Sequence, residues 1–123
     1  MTATALVWIA VALVGGTGAI LRFVLDDAVQ GRLAGEFPFG TLAVNGLGSF
    51  LLGLLHGAGV TGDQLLLAGT ALLGSFTTFS TWMLETERLA EDGGAGLSLT
   101  NVFGSLAVGL AAVALGWVIG AAG

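Results

Sequence analysis

The densest polar chemistry in the chain lies in Gly74-Ser75-Phe76-Thr77-Thr78-Phe79-Ser80-Thr81-Trp82, with four hydroxyls in the five residues 77–81, inside an otherwise apolar stretch. Ser and Thr hydroxyls compete for backbone hydrogen bonds and satisfy carbonyls that a local unwinding sets free. The run therefore predicts a helix broken at mid-membrane, buried in protein or lining a cavity; the alternative is an unbroken, hydroxyl-rich packing helix. Carbonyls at such a break are hard oxygen ligands suited to Na⁺, while freed N–H groups and half-helix N-termini attract anions. Phe79 and Trp82 stand three apart and share a helix face. They are either plain packing or, because a ring edge carries partial positive charge, a rim that faces a small anion.

Three other segments carry polar groups that lipid tolerates poorly. Asn45 offers two uncharged N–H donors, with Thr41 and Ser49 one turn to either side and His56 three turns on. It reads as an interhelical hydrogen bond or as a donor lining an anion route. His56 reads as interfacial, since no second His or buried acid completes a metal site. Arg22 closes Gly15-Gly16-Thr17-Gly18-Ala19-Ile20-Leu21-Arg22. It is either a snorkelling cation or a charge at the mouth of an anion route, with Gly15 and Gly18 on the same face allowing a close helix neighbour. Asn101 and Ser105 begin a small-residue stripe continued by Gly109, Ala112, Gly116 and Gly120. Packing is its default reading, with Ser105 as a secondary water or ion contact.

The elements that must position these groups follow from composition. Of 123 residues 55% are apolar and 9% charged, against about 25% charged in an ordinary soluble domain, and mean hydropathy is +0.99. Three basic and eight acidic residues cannot cover a water-facing surface, which excludes the soluble reading. A net charge of −5 argues against a nucleic-acid partner. With no Cys, disulfides, thiolate metal sites and Cys nucleophiles are excluded. No nucleophile–base pair is apparent, so an enzyme is not expected.

Apolar stretches over about residues 4–25, 39–60, 64–84 and 97–122 each approach the roughly 20 residues that cross a bilayer. The expectation is an all-α membrane protein forming a single domain over 1–123, with four transmembrane helices and solvated connectors at about 26–38 and 85–96. The first stretch lacks a basic leader and is too long for a cleaved signal peptide. Arg22, Arg32 and Arg88 lie toward the first and third connectors, which leans toward cytoplasmic odd-numbered connectors and external termini.

The motifs Gly15-Gly16-x-Gly18-Ala19-x-x-Arg22, Phe39-Gly40-Thr41-Leu42-x-Val44-Asn45-x-x-Gly48-Ser49-Phe50, and Gly74-x-Phe76-Thr77-Thr78-Phe79-Ser80-Thr81 followed by Glu85 resemble the CrcB or Fluc family of small fluoride channels. The resemblance covers nearly the whole chain. It implies an antiparallel, dual-topology homodimer in the cell membrane with two fluoride pores, or a pairing with a homologous subunit of opposite topology. A central structural Na⁺ held by backbone carbonyls carries over to Gly74 and Thr77. Asn45 takes the place of the pore Asn, Phe79 that of the first box aromatic, Ser80 and Thr81 the hydroxyl track, and Ser105 the fourth-helix pore serine, while Thr41 and Arg22 fall at vestibule and structural positions. The chain departs from the pattern twice. Trp82 stands where Phe is usual and brings an additional N–H donor, and Asn101 stands where Tyr is usual.

The expected function is passive, fluoride-selective export that confers fluoride resistance. Weak donors would replace the water of a strongly hydrated anion and release it again, and a fixed cation would offset the low dielectric. A coupled multidrug or cation exporter of similar size needs a membrane-embedded carboxylate, where the first helix carries Arg22. A non-transporting assembly subunit is the third reading.

Overall fold

The computed structural model describes residues 2–123, and all of its regular structure is helical. Helix α1 spans Thr2–Arg32 and α2 Phe39–Gly57. A third span is assembled from pieces: α3 (Gly62–Leu65), a π-helical stretch (Leu66–Leu73), α4 (Gly74–Phe76) and α5 (Ser80–Glu91). Helix α6 covers Ala95–Ala122. Four helical spans, 4–32, 39–57, 62–91 and 95–122, are long and apolar enough to cross a membrane, so the chain is a multi-pass membrane protein.

The helices end elsewhere than where the apolar runs end. α1 continues two turns beyond Leu25, through Asp26 and Asp27, because charge takes a helix out of lipid without stopping it; Arg32 then sits in its last turn, where a cation complements the helix dipole. α5 likewise carries Glu85 to Glu91 as helix, not loop, and stops where Gly93 turns to φ +81° and the Gly94 N–H reaches back to the Leu89 carbonyl at 2.9 Å. α2 stops at Gly57, three residues short of Val60, in a turn built on Gly59 at φ +78°.

α2 and α6 form the most extensive pairing, through reciprocal small-residue faces. Gly53 and Gly57 lie against the backbone of Val113 and Trp117, and Gly116 and Gly120 against Phe50, Leu54 and Gly57. This is the close helix contact that membrane bundles use where no hydrophobic effect drives association. On α1, Gly18 lies against the Leu72 carbonyl of the π-helical stretch, and Gly15 faces Ser75. The core within one chain is small, centred on Val44, Ala71, Leu73 and Phe76. Leu13, Ile20, Phe103 and Trp117 point outward, an arrangement suited to a lipid solvent.

Candidate functional site

The site is organised by the interruption between α4 and α5. Thr77 leaves the helix in an extended conformation (φ −84°, ψ 160°), and Thr77–Phe79 are not helical. Asn45, projecting from α2, pairs with this step: its Nδ2 donates to the Thr78 carbonyl at 2.8 Å, and its Oδ1 accepts the Thr78 N–H at 2.8 Å. One amide thus mimics a strand neighbour and satisfies both backbone groups that the missing helical turn leaves over. Gly48, one turn further along α2, makes this approach possible, because a Cβ there would collide with the Thr77 methyl.

Diversion of donors has a consequence for carbonyls. In an unbroken helix the Gly74 carbonyl would receive the Thr78 N–H and the Thr77 carbonyl the Thr81 N–H. Here the Thr78 N–H goes to Asn45, and the Thr81 N–H goes to Thr78 Oγ1 at 3.2 Å. Both carbonyl oxygens are therefore released from their helical donors. Thr77 turns its own hydroxyl back to the Leu73 carbonyl at 3.0 Å, closing the preceding turn.

Beyond the step, the Phe79 and Trp82 rings meet edge to face, with centroids 5.7 Å apart and planes at 89°. Phe79 is 69% exposed on the isolated chain. The additional donor of Trp82 is not offered to the ring rim: its Nε1–H is committed to the Asn101 carbonyl of α6 at 3.0 Å. Ser105 donates to Asn101 Oδ1 at 3.2 Å.

Two cavities flank the interruption. One, of about 380 Å³, is bordered by Asn45, Thr77, Phe79, Trp82 and Ser105; the other, of about 440 Å³, by Arg22, Asp26, Thr41, Thr81 and Glu85. Thr78 lines both. The second cavity contains two buried oxygens without a hydrogen-bond partner, Thr41 Oγ1 and Glu85 Oε1. Thr41 is only 3% exposed, and its hydroxyl faces the Glu85 carboxylate without closing a well-aligned bond.

The residues singled out in the sequence thus fall into two groups joined at Thr78. Thr41, Thr81 and Arg22 share one chamber, and Asn45, Phe79, Trp82 and Ser105 share the other. Ser80 borders neither; its hydroxyl stands 3.5 Å from Thr78 Oγ1 on the exposed side of the step. Gly74 and Thr77 flank a third cavity that reaches His56. Sequence reasoning overlooked Thr78 itself, although a Thr three residues ahead of a helical N–H is a capping signal. It also overlooked Gln30, which ties α1 to the start of α2 by accepting the Gly40 N–H at 2.9 Å and donating to the Phe37 carbonyl at 3.1 Å. A glutamine in a charged, apparently loop-like run carries no signal for that. Among the described residues no group of three or more His, Cys, Asp or Glu converges.

A family model described as "CrcB-like protein, Camphor Resistance (CrcB)" matches residues 9–117. The chain is 52% identical over 116 residues to "Fluoride-specific ion channel FluC 2" of Mycobacterium tuberculosis, covering 94% of this chain and 92% of that one. It is 50% identical over 105 residues to a FluC 2 of Haloarcula marismortui, covering 85% and 86%. To a FluC of Thermus thermophilus it is 44% identical over 120 residues, covering 94% and 95%.

Proposed function

This chain belongs to the CrcB-like protein family, and on that premise we propose that it is a fluoride-specific ion channel of the plasma membrane, carrying the anion passively along the two chambers that meet at Thr78. The observation that carries the reading is the set of uncharged donors gathered around the helix interruption: the second Nδ2 proton of Asn45, the hydroxyls of Thr41 and Thr81, and the edges of Phe79 and Trp82.

Fluoride holds its water tightly, so a conducting path must replace that water without binding the ion too strongly to let it go. Neutral N–H and O–H donors and ring edges do this more shallowly than charged side chains would. Arg22 borders the chamber of Thr41 and Thr81, where its charge is set against the carboxylates of Asp26, Asp27 and Glu85, so the neutral donors and not a net positive charge carry the anion. No step calls for bond making, and the relatives named as channels carry no chemistry for this chain to perform.

An isolated chain leaves Phe79 open to the outside. We place a second, antiparallel copy against that face, so that the exposed rim becomes the wall of a closed route, and we read the Thr77–Phe79 interruption as lying at mid-membrane. The released carbonyls of Gly74 and Thr77 fit a Na⁺ ion: they are hard, neutral oxygens without helical donors, and a second copy would double their number. Bound there, Na⁺ supplies a fixed positive charge that offsets the cost of an anion in a low dielectric.

The test is growth of fluoride-sensitive bacteria that express the chain. The wild type restores growth on fluoride, while Asn45→Asp and Thr81→Ala do not; equal growth of both variants and wild type would reduce the chain to a packing subunit.

A further inference from the structure

We propose that Asn101, which borders neither chamber, is the positioning residue that fixes the Trp82 ring and thereby sets the discrimination between fluoride and larger halides. The proposal rests on the channel reading above. Asn101 is 1% exposed, and every polar group of its side chain is engaged across the α5–α6 contact. Its Nδ2 donates to Thr86 Oγ1 at 2.8 Å and to the Trp82 carbonyl at 3.4 Å, and its Oδ1 accepts the Ser105 hydroxyl at 3.2 Å. Thr86 in turn donates to the Trp82 carbonyl at 2.8 Å. Trp82 is therefore gripped at both ends: its indole N–H by the Asn101 main chain, and its own main chain by the Asn101 side chain and Thr86.

Two consequences follow for the route. Two neutral donors beside the rim, the Trp82 N–H and the Ser105 O–H, are turned toward Asn101. An ion beside the rim meets C–H edges there, and binding stays shallow. The ring also cannot swing, because the indole bond fixes the tilt that sets it perpendicular to Phe79. Aperture and donor strength at the rim are both governed by a residue that touches neither chamber.

The test uses the full-length protein with Asn101→Leu, which keeps the number and branching of side-chain heavy atoms, and Thr86→Val, which removes the acceptor of the shortest Asn101 side-chain bond while keeping its shape. Chloride-to-fluoride flux ratio is read in proteoliposomes, and exchange of the Trp82 indole proton with solvent is read by NMR, the signal being assigned with Trp82→Phe. Each variant is expected to raise the chloride-to-fluoride ratio about tenfold, the size of effect that one lost buried hydrogen bond produces. Each is expected to speed indole exchange by a similar factor. In a Trp82→Phe background the Asn101→Leu change should raise the ratio by less than it does in the wild type, because there is no indole left to loosen and only the freed Ser105 hydroxyl acts. An unchanged flux ratio in folded Asn101→Leu and Thr86→Val overturns the proposal, as does full additivity with Trp82→Phe. Unchanged indole exchange overturns it too, and that readout decides even in a protein that carries no fluoride, an outcome that would sink the channel reading separately.

Discussion

Asn45 and Thr78 hold each other through complete amide groups: one side chain both donates to and accepts from one residue's backbone, each at 2.8 Å. In the apolar surroundings of a membrane span this pair makes a non-helical step tolerable, since an unsatisfied peptide group in lipid costs several kcal/mol. The same pair diverts the Thr78 N–H from Gly74, so satisfying the step and exposing a carbonyl are one event.

Removing this pairing is expected to be costly. Asn45→Leu leaves the Thr78 N–H and carbonyl without partners, and should lower stability by about 2–4 kcal/mol. Asn45→Asp keeps an acceptor for the N–H but sets a carboxylate against the Thr78 carbonyl, and should abolish fluoride flux. Thermal unfolding in detergent and fluoride efflux check the two outcomes.

Glycines of the bundle should divide by what surrounds them. Gly48→Ala drives a methyl group into Thr77 and should cost about 1–3 kcal/mol, with a matching loss of flux as the interruption shifts. Gly16→Ala meets nothing within 4 Å and should be neutral or stabilising by up to about 1 kcal/mol. Parallel melting curves of the two variants separate a general intolerance of larger residues from the specific contact.

Replacing Na⁺ with a large organic cation throughout purification and assay should remove fluoride flux, because the Gly74 and Thr77 carbonyls would then lose the ion we propose they hold. Restoring Na⁺ should recover it. Flux that is indifferent to the cation would remove Na⁺ from the account.

Topology follows from the antiparallel pairing we propose. A reactive tag at the C-terminus after α6 should label from both faces of the membrane in comparable amounts. Labelling from one face alone calls for a second chain of opposite orientation.

Much of this architecture was legible because lipid makes the sequence speak plainly. Four apolar runs gave four spans, and the hydroxyl cluster at 77–81 marked the interruption now seen at Thr77–Phe79. Helix ends were misplaced, because hydropathy reports where a chain leaves lipid and α1 and α5 stay helical in water beyond that point. The π-helical stretch Leu66–Leu73 is invisible in the sequence: nothing in Leu-Leu-Ala-Gly-Thr-Ala-Leu-Leu distinguishes a wide turn from an ordinary one, and the close approach of Gly18 to the Leu72 carbonyl appears only in the fold. Asn45 was recognised as a donor, but not that most of its bonding capacity is spent on Thr78. Trp82 and Asn101 were read as separate departures from the family pattern; only the fold brings them within 3.0 Å and shows that one answers the other.

The chambers on either side of Thr78 are expected to pass fluoride and exclude larger halides. Efflux from liposomes containing the purified protein tests it most directly, with ion-selective electrodes for fluoride and for chloride. Expected are rapid fluoride release, no chloride release above that of empty liposomes, and loss of the fluoride signal in Phe79→Ile that still elutes as a dimer. Chloride release comparable to fluoride, or undiminished release from Phe79→Ile, would contradict it.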